Sequence, residues 1–132
     1  PFIEANGPLY GRMDGERFVL GFLCEERHCN PMMACHGGML ATLADMLLLL
    51  GANIQTKLGQ FLLTVSLDID FVGPVQAGDW LEGRMEVLRA GRSLLFTEGR
   101  MTVNGTVVAR VNAMLKPSGK PLAEFVPTRY FS

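Results

Sequence analysis

The chain has 132 residues, 48% of them hydrophobic, and a formal net charge of −1. This length and composition exclude a disordered or fibrous protein, and we predict one domain over residues 1–132 with a proper core. The small net charge argues against a nucleic-acid partner. Three cysteines are an odd number for a disulfide framework, and the chain opens without a secretory signal pattern, so we expect a cytoplasmic protein.

The first predicted element is a β-hairpin. Residues 9–13 and 18–24 flank Asp14-Gly15, a dipeptide that favours a tight turn in which both central residues have positive φ. Apolar side chains alternate along the second arm, at Phe18, Leu20, Phe22 and Cys24. Residues 25–35 combine charges with a proline, which breaks any period and indicates a loop.

A long helix follows this loop. Between residues 39 and 54 the only ionisable side chain is Asp45, and the run is apolar on every face, which predicts a helix surrounded by the rest of the protein. Lys57 and Gly59 provide a C-terminal stop, for a helix of about 20 residues and about 30 Å. The uninterrupted apolar run is shorter than a bilayer requires and contains a central carboxylate, so we expect no membrane span.

The remaining elements are strands. After Gly59 the period changes to two, so that apolar residues 65, 67, 69 and 71 face the core while polar residues 64, 66, 68 and 70 face outward. Further strands are predicted at residues 80–89, 93–103 and 106–115, with turns at Ala90-Gly91 and Asn104-Gly105. These four strands are expected to form an antiparallel meander.

The predicted architecture is α+β, with one helix facing one sheet. A sheet that curls around the helix is the simplest way to bury it, but one thin sheet leaves part of such a helix uncovered. We therefore expect a partner subunit, most simply in a twofold dimer.

Two features of the helix indicate chemistry. Gly37 and Gly38 lack side chains, so a substrate oxygen can approach the free N–H groups and the positive dipole end at the helix start. Alternatively, these glycines only allow the helix to pack tightly against the sheet. Burial of Asp45 without partners would be costly, which suggests a functional carboxylate. The alternative for Asp45 is a structural role, bonded to backbone groups.

A set of short motifs links these features: Asn30, His36-Gly37-Gly38, Asp45, Pro74 and Gly78-Asp79. Their order resembles the hot-dog fold acyl-CoA thioesterases of the phenylacetate-pathway (PaaI-like) type, from about Gly7 to Lys116. The resemblance implies a hot-dog fold, in which a curled antiparallel β-sheet wraps around one long central helix. It also implies hydrolysis of acyl-CoA thioesters by a homodimer or tetramer with active sites at the subunit interface, and no cofactor.

The resemblance also implies roles for single residues. The amide of Gly37 would polarise the thioester carbonyl, and Asp45 would act as nucleophile or as general base on water, facing the glycine turn of a neighbouring subunit. Asn30 would orient the carbonyl or the water, although it could instead be an ordinary turn residue. His36 would support the site by bonding the loop and fixing Asn30. Thr64 would lie near the attacking water, but strand alternation points it away unless the strand twists or bulges.

Other residues are candidates for substrate binding. Gly38 lies beside the carbonyl site, and Met46 belongs to a set of methionines that could line an acyl tunnel or simply fill the core. Arg89, Arg92 and Lys116, like Lys120, lie at strand ends and turns, where they could meet the phosphates of coenzyme A or remain solvated.

The sequence also suggests three alternatives. Five residues could ligate zinc, namely Cys24, His28, Cys29, Cys35 and His36. Their spacing does not form two chelating pairs, so we expect no metal site. A hot-dog hydratase or dehydratase acting on acyl thioesters would need a differently spaced His and acid motif. A non-catalytic acyl-CoA sensor would not need Asp45 and Asn30 together.

Overall fold

The computed structural model describes residues 2–121 and the backbone of residues 129–130. A short helix, α1 (Phe2–Asn6), precedes the hairpin of β1 (Tyr10–Asp14) and β2 (Arg17–Leu23). A 3₁₀ turn at Glu26–His28 leads into the central helix, α2 (Gly37–Thr56). The later strands are β3 (Gln60–Phe71), β4 (Trp80–Ala90), β5 (Leu95–Val103), β6 (Thr106–Pro121) and β7 (Arg129–Tyr130).

The strands form one sheet in the order β3-β6-β5-β4-β2-β1-β7, antiparallel except for the β1–β7 pair. This sheet curls around α2, so the predicted α+β hot-dog architecture is confirmed. The predicted meander is wrong in one respect, because β3 pairs with β6 and not with β4. Residues 72–79 connect β3 to β4 and are longer than a hairpin turn, which allows β4 to pair with β2 instead.

The hairpin turns depend on positive φ. Asn104 and Gly105 have φ of 50° and 79°, as the predicted two-residue turn requires. In the first hairpin, Asp14 is the last paired residue of β1, so the central residues are Gly15 and Glu16. The turn therefore lies one residue later than predicted. Of its two central residues, only Gly15 takes positive φ, at 64°.

One face of α2 is fully buried against the sheet, at Leu43, Ala44, Leu47, Leu48 and Ala52. Glycines on the facing strands allow this approach. A Cβ at Gly83 would lie 2.8 Å from the Leu47 Cδ2, and a Cβ at Gly99 would lie 3.4 Å from the same atom. By length and composition α2 could also cross a membrane, but here it is the core helix of the sheet.

The opposite face of α2 is only partly covered. A stripe of half-buried residues recurs every three or four positions on this side: Thr42, Asp45, Met46, Leu49, Leu50, Asn53 and Ile54. The expected incomplete cover of the helix is therefore observed, and Asp45 is half-buried instead of enclosed.

Strand β3 lies at one end of the sheet. Its alternation is as predicted at Leu67 and Ile69, which pack against the core, but not at Val65 and Phe71, which are exposed. Register shifts occur between Gln60 and Leu62 and between Thr64 and Ser66. Val65 is consequently 54% exposed instead of facing the core. Other apolar side chains of this strand are also exposed, at Phe61, Leu63 and Phe71. The bulge adds one residue at Val65, so the residues before it and the residues after it alternate in opposite phase.

Candidate active site

The carboxylate of Asp45 is bound by a threonine of β3. The Thr64 hydroxyl donates a hydrogen bond of 2.5 Å to Oδ1 of Asp45. Such a short O–H···O distance is typical of a hydrogen bond to a charged acceptor. The bulge beside Thr64 turns its side chain toward α2, which is the exception to simple alternation that a bulged strand allows. Among the described residues, Oδ2 of Asp45 has no hydrogen-bond partner.

The first turn of α2 leaves one backbone donor free. The His36 ring caps the helix, because its Nδ1 accepts a hydrogen bond of 2.9 Å from the Gly38 amide. The His36 carbonyl accepts from the amides of Met39 (2.9 Å) and Leu40 (3.1 Å). Of the first four amides of the helix, that of Gly37 alone lacks a partner within the described chain. An exposed amide at a helix start is suited to a carbonyl oxygen or an anion.

These contacts bear on two of the sequence predictions. The His36 ring bonds its own helix, and among the described contacts none joins it to Asn30. The Gly38 amide is occupied by His36, so a substrate-binding role for Gly38 would use its small size and not its N–H group.

Asn30 is fixed by the loop that it begins. Its side-chain Oδ1 accepts hydrogen bonds from the backbone amides of Met32 (2.9 Å) and Ala34 (3.3 Å). The backbone amide of Asn30 donates to the Ala34 carbonyl (2.8 Å). These bonds orient the side chain, so that Nδ2 remains an unpaired donor within the described residues. The turn role and the donor role of Asn30, which are alternatives from the sequence alone, are therefore compatible.

The loop returns Asn30 to the start of α2. The backbones of Cys29 and Cys35 pair in an isolated antiparallel β-bridge. The His36 backbone amide donates to the His28 carbonyl at 2.8 Å. Asn30 and His36 directly follow these two paired residues, so their backbones lie at the same end of the fold.

Gly37 and Asp45 are well separated within one chain. They lie eight residues apart on one straight element, from position 37 to position 45, which corresponds to about 12 Å along the helix axis. Groups that act on one carbonyl must each come within about 3 Å of a reacting atom. The amide of Gly37 and the carboxylate of Asp45 of the same chain therefore cannot meet at one carbonyl.

The candidate substrate-binding residues lie in two places. Met46 is half-buried on the uncovered stripe, next to Asp45. Arg92 lines a cleft of about 330 Å³ at the C-terminal end of α2, together with Leu58 and Pro117. Lys116 directly precedes Pro117 and is exposed, whereas Arg89 is exposed opposite Phe96 and outside the residues that line this cleft.

One residue near the site was not singled out from the sequence. Phe71 was predicted to face the core, but it is 58% exposed and adjoins Gly37, where a Cβ would lie 3.5 Å from the Phe71 Cζ. The ring offers an apolar surface beside the free amide.

The cysteines of the described chain are free thiols. Burial raises the pKa of Cys24 and of Cys35, which favours the neutral thiol over the thiolate. Across residues 2–121, no group of three His, Cys, Asp or Glu side chains is placed to hold a metal ion.

Comparison with known proteins gives a consistent result. The family model of the thioesterase superfamily matches residues 32–109. A Pseudomonas aeruginosa protein provisionally named an esterase is 33% identical over 115 residues, which cover 86% of each chain. Mouse acyl-coenzyme A thioesterase 13 is 27% identical over 97 residues, covering 72% of this chain and 69% of that protein. The structure of Escherichia coli PaaI, from the phenylacetic acid degradation operon, has a TM-score of 0.82 at 23% identity, covering 92% of this chain and 87% of that one.

Proposed function

Because the chain belongs to the thioesterase superfamily and is a thioester hydrolase, we propose that it hydrolyses acyl-CoA thioesters to a free acid and coenzyme A. One observation carries the proposal, namely that a free helix-start amide at Gly37 and a threonine-bound carboxylate at Asp45 are both presented at the surface of one chain. The name of the mouse relative supports a coenzyme A thioester as the substrate class.

The Gly37 amide would polarise the thioester carbonyl. Attack on the carbonyl carbon moves negative charge onto its oxygen, and a fixed N–H donor in a helix dipole stabilises that charge. The unpaired Nδ2 of Asn30 would supply a second donor from the adjacent loop, since its Oδ1 is already bound. Gly38 and the exposed ring of Phe71 would leave room for the thioester and cover its apolar side.

Asp45 would drive the attack, in one of two ways. As a general base it would take a proton from water, whose oxygen adds to the carbonyl carbon before the C–S bond breaks. As a nucleophile its own oxygen would add, releasing coenzyme A and leaving an anhydride for water to cleave. In either case Thr64 would hold Oδ1 and leave Oδ2 for the reaction.

We infer that each active site is built from two copies of the chain. The Gly37 amide and the Asp45 carboxylate of one chain lie about 12 Å apart along the helix. The Gly37 amide of one chain would therefore bind the carbonyl on which Asp45 of another chain acts. Two features favour a second copy as the partner: the half-buried stripe of α2 includes Asp45 itself, and exposed apolar residues follow the edge strand β3. A homodimer is the simplest assembly with such sites, and a tetramer would contain two such dimers.

The proposed contacts with the rest of the substrate follow from the same arrangement. Met46, beside Asp45, would contact the acyl chain. Arg92 and Lys116, at the cleft beyond the C-terminal end of α2, and Arg89 on β4 would contact the phosphates of coenzyme A.

Thiol release from a panel of aryl and aliphatic acyl-CoA substrates tests this function. We expect wild-type turnover of at least one substrate and a loss of about 10²-fold or more in kcat for Asp45→Asn, since the amide neither attacks nor accepts a proton. Binding of acyl-CoA without thiol release would identify a sensor. Hydration of an enoyl-CoA would identify the alternative enzyme.

A further inference from the structure

The three cysteines converge beneath the loop that carries Asn30. Cys24 directly follows β2, ahead of the 3₁₀ turn, and its sulfur lies 3.7 Å from the sulfur of Cys29. Cys35 is opposite Cys29 in the antiparallel bridge, but its thiol points to the His36 carbonyl at 3.8 Å. Cys24 is therefore the thiol between the other two, because it contacts the Cys29 sulfur at 3.7 Å and also has a side-chain hydrogen bond with Cys35.

The three thiols differ in access to solvent. Cys24 is 1% exposed and Cys35 is 7% exposed, whereas Cys29 is half-buried. Cys29 also lines an open cleft of about 270 Å³ beside the start of α2, together with Arg27, His36 and Thr42. A small oxidant in this cleft would reach the sulfur of Cys29 before the other two.

We propose that Cys29 is a site of oxidation by hydroperoxides, and that Cys24 captures the oxidised sulfur in a Cys24–Cys29 disulfide. The Cys29 sulfur attacks one peroxide oxygen, so that an S–O bond forms and the O–O bond breaks. For hydrogen peroxide, this step yields a sulfenic acid and water.

The Cys24 sulfur then attacks the Cys29 sulfur. The S–S bond forms, the S–O bond breaks, and the leaving hydroxide takes the Cys24 proton as a second water. Two electrons pass from the two thiols to one peroxide.

Disulfide formation would move the loop of the candidate site. The sulfurs must approach from 3.7 Å to about 2.05 Å in a disulfide. Asn30 directly follows Cys29, and the carbonyl of His28, directly before it, holds the His36 amide at 2.8 Å. We therefore expect lower turnover in the oxidised protein. This effect on activity rests on the proposed function, whereas formation of the disulfide does not.

Peptide mapping tests the disulfide independently of activity. The full chain is reduced, freed of reductant, treated with hydrogen peroxide, blocked with an alkylating reagent and digested with trypsin without reduction. Tryptic cleavage places Cys24 in residues 18–27 and both other cysteines in residues 28–57. We expect these peptides to be linked, and fragmentation to place the bond at Cys29. A bond at Cys35, a bond within residues 28–57, or irreversible oxidation of Cys29 without a disulfide would overturn the proposal.

Activity measurements test the coupling to the site. We expect peroxide to lower kcat on the order of tenfold or more, because small displacements of positioning groups have large effects on rate, and we expect dithiothreitol to restore it. The Cys29→Ser variant keeps all methionines and should retain its activity in peroxide. Equal loss in Cys29→Ser would trace the inactivation to another residue and contradict the coupling. If the wild type proves inactive on all acyl-CoA substrates, the mapping result still decides the disulfide.

Discussion

At the scale of single residues, the Thr64–Asp45 contact is the most specific feature of the candidate site. A hydroxyl that donates to one carboxylate oxygen both holds the side chain and leaves the other oxygen available. Thr64 is exposed, so its bond to Asp45 contributes to the geometry of the site more than to the core.

Replacement of Thr64 tests this contact. Thr64→Val keeps the shape and removes the hydroxyl, so the carboxylate loses a hydrogen bond worth about 1.5–3 kcal/mol. We expect a decrease in kcat of roughly 10- to 100-fold, measured by thiol release, with little change in the melting temperature. Thr64→Ser is the matched control and should keep most of the activity. A fully active Thr64→Val enzyme would show that the contact has no part in turnover.

The buried thiols predict a dependence of stability on pH. The pKa of Cys24 and of Cys35 is raised from the ordinary value of 9.0, mainly by burial, so the folded chain keeps protons that the unfolded chain releases. This stabilisation is fully present below the ordinary pKa and is lost as the pH rises above it. Urea unfolding from about pH 8 to about pH 10 should show a fall in the unfolding free energy. The fall should be smaller in Cys24→Ala, and an equal slope in both proteins would contradict this explanation.

Several candidate site residues stand out in the sequence because their chemistry is unusual for their position. Asp45 is the one charge in an apolar helix, and the glycines follow a residue able to cap that helix. The side-chain directions were not predictable in the same way. Whether Thr64 faces Asp45 depends on a bulge, and whether the Gly37 amide is free depends on how His36 caps the helix.

At the scale of elements, the distance between α2 and the sheet is set by small residues. Gly83 and Gly99 admit the side chain of Leu47, and Gly51 of the helix faces Met85 of β4. These close approaches keep α2 in a fixed position, so that Asp45 stays within reach of Thr64.

Two alanine substitutions test this packing. At Gly99 the new Cβ would lie 2.6 Å from a backbone carbonyl and 3.1 Å from the Met85 Cβ, neither of which moves easily. We expect Gly99→Ala to destabilise the fold by about 1–3 kcal/mol in urea unfolding. Gly51→Ala meets the Met85 side chain, which can change rotamer, and gains about 1 kcal/mol of helix propensity. It should therefore cost less than Gly99→Ala, and the reverse order would contradict the packing argument.

The elements themselves were more predictable than their partners. The apolar run predicted the central helix, and Asn104-Gly105 predicted the β5–β6 hairpin and its turn residues. The pairing of β3 with β6 was missed, because alternation identifies a strand without naming its neighbour. Contacts between distant parts of the chain decide such pairings.

At the scale of the whole molecule, the two groups proposed to act on the carbonyl lie too far apart on one chain to meet there. The Gly37 amide and Asp45 lie about 12 Å apart on a rigid helix. The stripe around Asp45 and the edge strand β3 both expose apolar side chains. A second copy would complete the proposed site and cover both surfaces, as the incomplete cover of the helix predicts.

Complementation between two inactive chains tests this central claim most directly. One chain carries Asp45→Asn. The other carries Gly37→Pro, which removes only the free amide, because proline is well tolerated at the first helical position and His36 already has the extended ψ of 134° that precedes proline. Gly37→Ala keeps the N–H group and serves as the control. The chains are co-expressed with different tags, and the mixed oligomer is purified and assayed by thiol release.

If the site combines Gly37 of one chain with Asp45 of another, a mixed dimer contains one intact site and should recover about half the wild-type kcat per dimer, while each variant alone stays near background. If both groups act within one chain, every site in the mixed dimer lacks one of them. A mixed oligomer no more active than its inactive parents would contradict the account.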